Sequence, residues 1–415
     1  WVNGERDYLP GGAGFMGKAW DAFVPPVAVW DECLRVLKPG GHLLAFAGSR
    51  TFDLMALGIR LAGFEVRDSI AWMYGSGFPK SLDVSKAIDK AAGAEREVVG
   101  TGARSRNCSE GWDRPWMREQ MEAIGGSGMA KFDITAPATP DAERWQGWGS
   151  AMKPAFEPVV VARKPFQGTL AANVLAHGTG ALNVDGCRVG DEERVNPPSG
   201  APGANNYRLE GGDGRDVENA RAYAERSKAL PPTTVSGRWP ANVILDESQA
   251  EALDQMSGES TSPSQPVRQG GRRMDGGRYG SGSDRSGQPM REGEGVGYGD
   301  SGGASRFFYV AKADASERVR VDGVAHPTVK PLALMRWLVR LVTPPGGTVL
   351  EPFAGSGTTV EACLLEGFRC VAIEREADYL PLIVQRINRR RDPVAAVKVT
   401  GDDGGLFDLL PGAAS

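Results

Sequence analysis

The stretch VLEPFAGSGTTVEACLLEGFRCVAIE, Val349 to Glu374, constrains the fold more than any other part of the chain. An apolar run, a glycine turn, a helical run and a second apolar run ending in an acid follow one another. This is the opening half of a nucleotide-binding α/β pocket. Gly355 and Gly357 let the backbone turn sharply and keep side chains away from a ligand. Thr358 and Thr359 then open a helix whose N–H groups can face a carboxylate or phosphate. Glu374 closes the run Val371, Ala372, Ile373 and stands 374 − 355 = 19 residues after Gly355. Such pockets place there the acid that accepts hydrogen bonds from a ribose. Strand-turn-helix junctions also use glycine for steric reasons alone, so the turn takes its meaning from its neighbours.

The decisive neighbour is HPTVKPLALM, His326 to Met335. With it, the segment closely resembles the S-adenosylmethionine pocket of the amino-group DNA methyltransferases. Their phenylalanine-x-glycine-x-glycine motif is matched by Phe353, Gly355 and Gly357, and their "HPT-x-KP" phrase by His326, Pro327, Thr328, Lys330 and Pro331. Glu351 stands where the family more often has aspartate. The resemblance implies S-adenosylmethionine as cofactor, held by these residues together with Pro352, Ala354, Ser356, Thr358, Thr359 and Glu374.

At 415 residues the chain is long enough for two to three domains, and 56 Gly with 28 Pro predict long irregular segments. A net charge of −4 means that any contact with DNA must come from a local basic patch. Five cysteines at wide spacing predict a reduced, cytoplasmic protein with neither a disulfide framework nor a zinc site. The chain begins at Trp1 rather than methionine, which reads as a fragment lacking its natural N-terminus or as a processed start.

Along the chain, Val27, Trp30, Cys33, Leu34 and Leu37 predict a helix over 25–38, stopped by Pro39-Gly40-Gly41. HLLAFAG, from His42, predicts a strand, Thr51 to Ala62 a helix, and 64–74 a strand with Phe64, Val66, Ile70, Trp72 and Tyr74 on one face. RVLKPGGHLLAF, from Arg35, and IAWMYGSGFPKSLDVSKAIDK, from Ile70, look like the catalytic half of phage and prophage DNA methyltransferases. Trp72 and Tyr74 then serve either as sheet core or, as the resemblance implies, as the aromatic that stacks on an extruded base. His42 and His177 read as strand-end and turn residues, since neither is paired with an acid at recognisable spacing.

Two further phrases, 134–165 and 168–189, recur in phage-type members of that family. They contain a predicted strand, 156–162, flanked by Lys153, Arg163 and Lys164, which form either a solvated rim or phosphate contacts. From 190 to 305 the composition turns to Gly, Ser, Arg, Asp and Pro, except for a strand and short helix predicted over 240–253. Arg268, Arg272, Arg273, Arg278, Arg285 and Arg291 face only two aspartates, Asp275 and Asp284. This run is either a solvated loop or a DNA-clamping segment placed where the family keeps its target-recognition region. Strand order returns over 304–313. Thr328 is expected to cap a helix with Pro331 in its first turn, and a last helix over 377–390 carries Leu380, Ile383, Val384 and Ile387 on one face.

The family methylates exocyclic amines with a motif of Asp, Asn or Ser followed by Pro-Pro and an aromatic. The motif is not in this sequence and is expected at or before Trp1, so catalytic residues are left unnamed and the chain alone is expected to bind cofactor with or without transferring methyl. The predicted fold is a doubly wound, mostly parallel seven-stranded methyltransferase sheet with a Gly/Arg-rich insertion. Its parts are a catalytic half at 1–92, a connecting segment at 93–189, a target-recognition segment at 190–303, a cofactor half at 304–400 and a tail at 401–415. Double-stranded DNA is the expected partner, with a companion restriction enzyme as a further one. A dinucleotide oxidoreductase and a silent DNA-binding remnant are the competing readings.

Overall fold

The computed structural model describes residues 24–75, 77, 81–105, 129–196, 233–261, 300–311, 315–389 and 406–409. The arginines between 268 and 291 lie outside the described residues. The chain forms two compact units. One comprises Trp1–Asn183, Asn242–Gln249 and Ala311–Ser415, the other Val184–Ala241 and Ala250–Val310. Among the described residues no helix is long and apolar enough to cross a membrane.

In chain order the strands are β1 (His42–Phe46), β2 (Glu65–Met73), β3 (Val98–Ser105), β4 (Met129–Thr135), β5 (Phe156–Arg163), β6 (Val189–Asn196), β7 (Thr233–Arg238), β8 (Val243–Asp246), β9 (Ser260–Thr261), β10 (Ser301–Gly302), β11 (Tyr309–Ala311), β12 (Arg320–Val321), β13 (Val324–Ala325), β14 (Thr348–Glu351), β15 (Arg369–Ile373) and β16 (Leu406–Leu409). The expected helix over 25–38 forms as Val27–Val36. Its last carbonyls have a cation: Lys164 Nζ donates to Leu34 O and Leu37 O, both at 2.7 Å. Gly40, at φ +78°, then turns the chain into β1.

The larger sheet runs in the order β1-β5-β2-β8-β11, and β14-β15-β16 form a second, three-stranded sheet. β5 is antiparallel to both β1 and β2, whereas β8 is parallel to β2 and β15 to β14. The described residues therefore make a mixed α/β fold with sheets of five and three strands, in place of the expected single, mostly parallel seven-stranded sheet. Helix and strand alternation by itself predicts parallel neighbours. A strand that enters between β1 and β2 in the opposite direction breaks that rule.

Register decides what each face carries. Ala45 pairs with Val160 and Phe46 with Val159, while across β2 Val66 pairs with Ala162, Ile70 with Val159 and Trp72 with Glu157. Leu43, Ala45, Val160, Ala162, Phe64 and Val66 pack with Trp30, Met55 and Ile59 in one apolar cluster. Phe46, Val159, Ile70, Glu157 and Trp72 follow the other parity and share the opposite face. A bulge between Val66 and Asp68 adds the residue that shifts the alternation. The prediction that Phe64, Val66, Ile70, Trp72 and Tyr74 lie on one face is corrected on that account.

Smaller differences have local causes. The strand expected over 304–313 is a 3-10 turn, Ala304–Phe307, followed by β11, because Arg306 folds back onto the carbonyls of Gly302 and Gly303. The helix Leu332–Val342 has Pro331 at its N-cap and no side-chain cap. Thr328, the expected cap, instead lies beside His326. In the second unit β6 and β7 pair antiparallel, and Arg238, buried, donates to Asp300.

Candidate active site at the strand ends

β14 and β15 are parallel, and their C-terminal ends deliver the glycine turn and its acid to one place. Gly355 and Gly357 hold φ of +55° and +81°, where a side chain is strained. A side chain would also be crowded there. A Cβ on Gly355 would come 3.0 Å from His326 Nε2, and one on Gly357 would come 3.1 Å from Ile383 Cα. The helix Thr358–Leu365 starts at Gly357 without a side-chain cap.

Two carboxylates shape the turn. Glu374 accepts from Gly355 N at 2.6 Å through one oxygen and from Glu376 N at 2.8 Å through the other. Glu351 accepts from Phe353 N at 3.0 Å and from the Thr359 hydroxyl at 2.6 Å. Burial raises the Glu351 carboxyl above its ordinary value, against the pull of those two hydrogen bonds. Ala354 N donates to Ile373 O at 2.9 Å and ties the turn to β15. Ser356 and Thr358 are buried, with hydroxyls 3.4 Å apart, whereas the Phe353 ring is 54% exposed.

HPTVKP folds onto this turn. His326 lies edge-on to Tyr379 at 4.6 Å between ring centroids, with Nδ1 2.8 Å from Thr328 O. Burial, above all, lowers its pKa and favours the neutral imidazole. Lys330 goes elsewhere. Its ammonium meets both oxygens of Glu157, at 2.5 and 2.6 Å, and lies 4.8 Å from the Phe46 ring centroid and 5.4 Å from that of Trp72. Trp72 and Tyr74 are 5.2 Å apart and tilted by 50°. Burial, then the Glu157 charge, pushes the Tyr74 phenol up and keeps it neutral.

The Tyr74 backbone is held tightly. Tyr74 N donates to Ala155 O at 2.9 Å, and the next residue, Gly75, donates its N–H to Asp246 at 3.0 Å and receives Lys153 Nζ on its carbonyl at 2.7 Å. A Cβ on Gly75 would lie 2.3 Å from Ser248 Oγ. The three basic residues around β5 thus have protein partners: Lys153 on Gly75, Lys164 on the helix end, and Arg163 on Glu65 at 2.8 Å and over the Phe166 ring.

Sequence reading missed Glu157 and Asp246. Glu157 had a signal: within FEPVVVAR it alternates with Val159 and Val161, so a charge falls on an apolar parity and calls for a buried partner. That partner lies 173 residues away.

Two curated relatives match short stretches. The Type II methyltransferase M.SmaI of Serratia marcescens is 45% identical over 67 residues, covering 16% of this chain and 23% of that protein. The Type II methyltransferase M.ScaI of Streptomyces caespitosus is 36% identical over 72 residues, covering 17% and 24%. The chain thus spans about a quarter of the length of these relatives. Among solved structures, the M1.HpyAVI–SAM complex aligns over 87% of this chain and 81% of its own, at 14% identity and a TM-score of 0.33. TTHA0409 of Thermus thermophilus, with S-adenosyl-L-methionine, aligns over 88% and 75% at 14% identity and a TM-score of 0.30. Residues 283–385, which contain both HPTVKP and the glycine turn, match the N6_N4_Mtase family, described as DNA methylase.

Proposed function

We propose that the chain is a site-specific DNA methyltransferase that moves a methyl group from S-adenosylmethionine to an exocyclic base amine, adenine N6 first and cytosine N4 second. One observation carries this reading. The two phrases inside the DNA methylase match are brought into contact, with Gly355 of one against His326 of the other.

The residues suit that cofactor. The glycine turn keeps Cβ atoms out of the cradle, and Glu374 retains lone pairs beyond its two backbone bonds for ribose hydroxyls. Glu374 offers a carboxylate to a ligand that carries a sulfonium and an ammonium, and the exposed Phe353 offers an apolar surface. Bound there, the cofactor supplies an electrophilic methyl. The protein's task is to hold an extruded base in line with it, because an exocyclic amine is a weak nucleophile until it is oriented and relieved of a proton. Trp72, near the C-terminal end of β2, and Tyr74, just after it, are the proposed stacking platform.

Double-stranded DNA is the proposed partner, with Arg268, Arg272, Arg273 and Arg278 as proposed phosphate or guanine contacts. The Type II relatives support a companion restriction enzyme, and the reaction would take place in the cytoplasm of a bacterial cell.

Calorimetric titration with S-adenosylmethionine, followed by transfer of its labelled methyl to mixed-sequence DNA, tests the reading. Gly355→Asp should abolish binding of the cofactor, and labelling with it. A chain that binds no cofactor refutes the assignment. Cofactor binding without labelling, by this chain and by a version extended upstream of Trp1, leaves a silent DNA-binding remnant.

A further inference from the structure

The face of the larger sheet that carries Phe46, Trp72 and Glu157 is an unusual place for a charge. Val159 and Ile70 pair two residues further along the same face. Glu157 and the Lys330 ammonium are nonetheless 22% and 24% exposed, so the pair is neither sealed into the core nor free in water. It sits among the rings of Phe46, Trp72 and, beside Trp72, Tyr74. The Trp72 indole Nε1 is buried and has no hydrogen-bond partner among the described residues. A buried donor left unmade is costly, which marks the niche as one whose polar groups are not all satisfied within the fold.

The unused capacity can be counted. Lys330 has three N–H donors and directs two of them to Glu157. Each Glu157 oxygen accepts one of these and keeps a second lone pair. Aromatic faces beside an adjacent acceptor and donor are what a single extruded nucleobase requires: stacking on the ring and hydrogen bonds along the Watson–Crick edge. The order of the polar groups selects among bases. Adenine and cytosine each present an amine donor next to a ring-nitrogen acceptor. Guanine and thymine present a carbonyl where the amine would be.

We propose that Glu157 and Lys330 form the polar edge of the target-base pocket, Glu157 accepting from the exocyclic amine and Lys330 donating to the neighbouring ring nitrogen. The assignment rests on the methyltransferase reading and deepens it. The pair admits both amino bases and rejects keto bases, whose carbonyl would face a carboxylate. Lys330 is thereby placed on the base side of the site rather than among the cofactor contacts.

The test uses the full chain with its cofactor site filled by S-adenosylhomocysteine, so that adenosine-like probes cannot enter there. Deoxyadenosine, deoxycytidine, deoxyguanosine and thymidine are then titrated by saturation-transfer NMR. The two amino nucleosides should bind about tenfold more tightly than the two keto nucleosides, the discrimination expected of one paired donor and acceptor. Glu157→Gln should erase the preference by weakening the amino nucleosides alone, and Lys330→Met should do the same, with S-adenosylhomocysteine affinity unchanged in both. Equal binding of all four by the unaltered chain overturns the proposal without recourse to any variant. So does a preference that survives Glu157→Gln. Failure of S-adenosylhomocysteine itself to bind removes the underlying methyltransferase reading, and is a separate, earlier outcome of the same experiment.

Discussion

Glu361 is wholly and Glu157 only partly withdrawn from water, and the first unit pairs them in different ways. Glu361, in the helix Thr358–Leu365, is 0% exposed and is surrounded by Arg386 at 2.6 Å and by Arg389 at 2.6 and 2.8 Å. Arg386, also 0% exposed, donates onward to the Glu317 carbonyl, and Arg389 to Ser316 O. That network joins the helix behind the glycine turn to the helix Leu380–Asn388 and to the segment before β12. Glu157 has one cation, aromatic neighbours and a partly exposed edge. A buried charge enclosed on every side holds elements together. A charge satisfied on one side only can hold a ligand.

The enclosed network should show the largest response. Removing one member leaves its partner charged and buried, which costs about 3–5 kcal/mol. Arg386→Met and Glu361→Gln are each expected to lose that much in urea unfolding, and the double variant less than the sum. Losses below about 1 kcal/mol would make the network as dispensable as a surface pair and erase the contrast.

His42 shows a third solution, in which a titratable group simply stays neutral. Burial, followed by the nearby charges of Arg163 and Arg67, lowers its pKa from 6.5 to about 4. Between those values the unfolded chain carries a proton that the folded chain does not. Stability is therefore flat above about pH 6.5 and declines as the pH falls towards 4, by roughly 3 kcal/mol in all. Unfolding measured across that window should show the slope, and His42→Gln should flatten it. An unchanged slope in the variant assigns the effect to other groups.

Lys164 offers a smaller effect of the same kind. Its ammonium meets two carbonyls at the end of the helix Val27–Val36 and draws on the negative end of that helix. Lys164→Met keeps the stem and removes the charge, with an expected loss of about 1–2 kcal/mol. If Lys164→Met instead leaves stability intact and weakens DNA binding, Lys164 is a phosphate contact.

How far these arrangements could be read in advance depended on distance along the chain. The glycine turn and the helix between Glu351 and Glu374 lie within one run of sequence, and local spacing predicted their order, but not that the two carboxylates hold the turn by their own hydrogen bonds. HPTVKP was legible as a phrase, but the direction taken by Lys330 was not, because Glu157 comes to it only through the β1-β5-β2 register. One bulge in β2 was enough to reassign five residues between two faces. The helix expected over 377–390 begins as a 3-10 turn, Ala377–Tyr379, and its buried residues are Leu382, Ile383, Arg386 and Ile387, with Leu380 and Val384 only half-buried. Arg386 was hidden from pattern reading because a charge at a buried position looks like an error in the period until its carboxylate is found on another helix.

The smallest expected effect on stability is the most informative for function. Glu157→Gln retains shape and one acceptor, and the Lys330 ammonium it releases can still lie over Phe46 and Trp72 and reach water from a position 24% exposed. Unfolding should change by no more than about 1 kcal/mol, the range of a partly solvated pair. A loss of the size expected for Glu361→Gln would mean that the pair is a second structural clasp, sealed like the first, and the two regions would cease to differ. A small loss together with an altered base preference separates them, because a residue that holds elements together is felt in unfolding, and one that reads a ligand is felt when the ligand is changed.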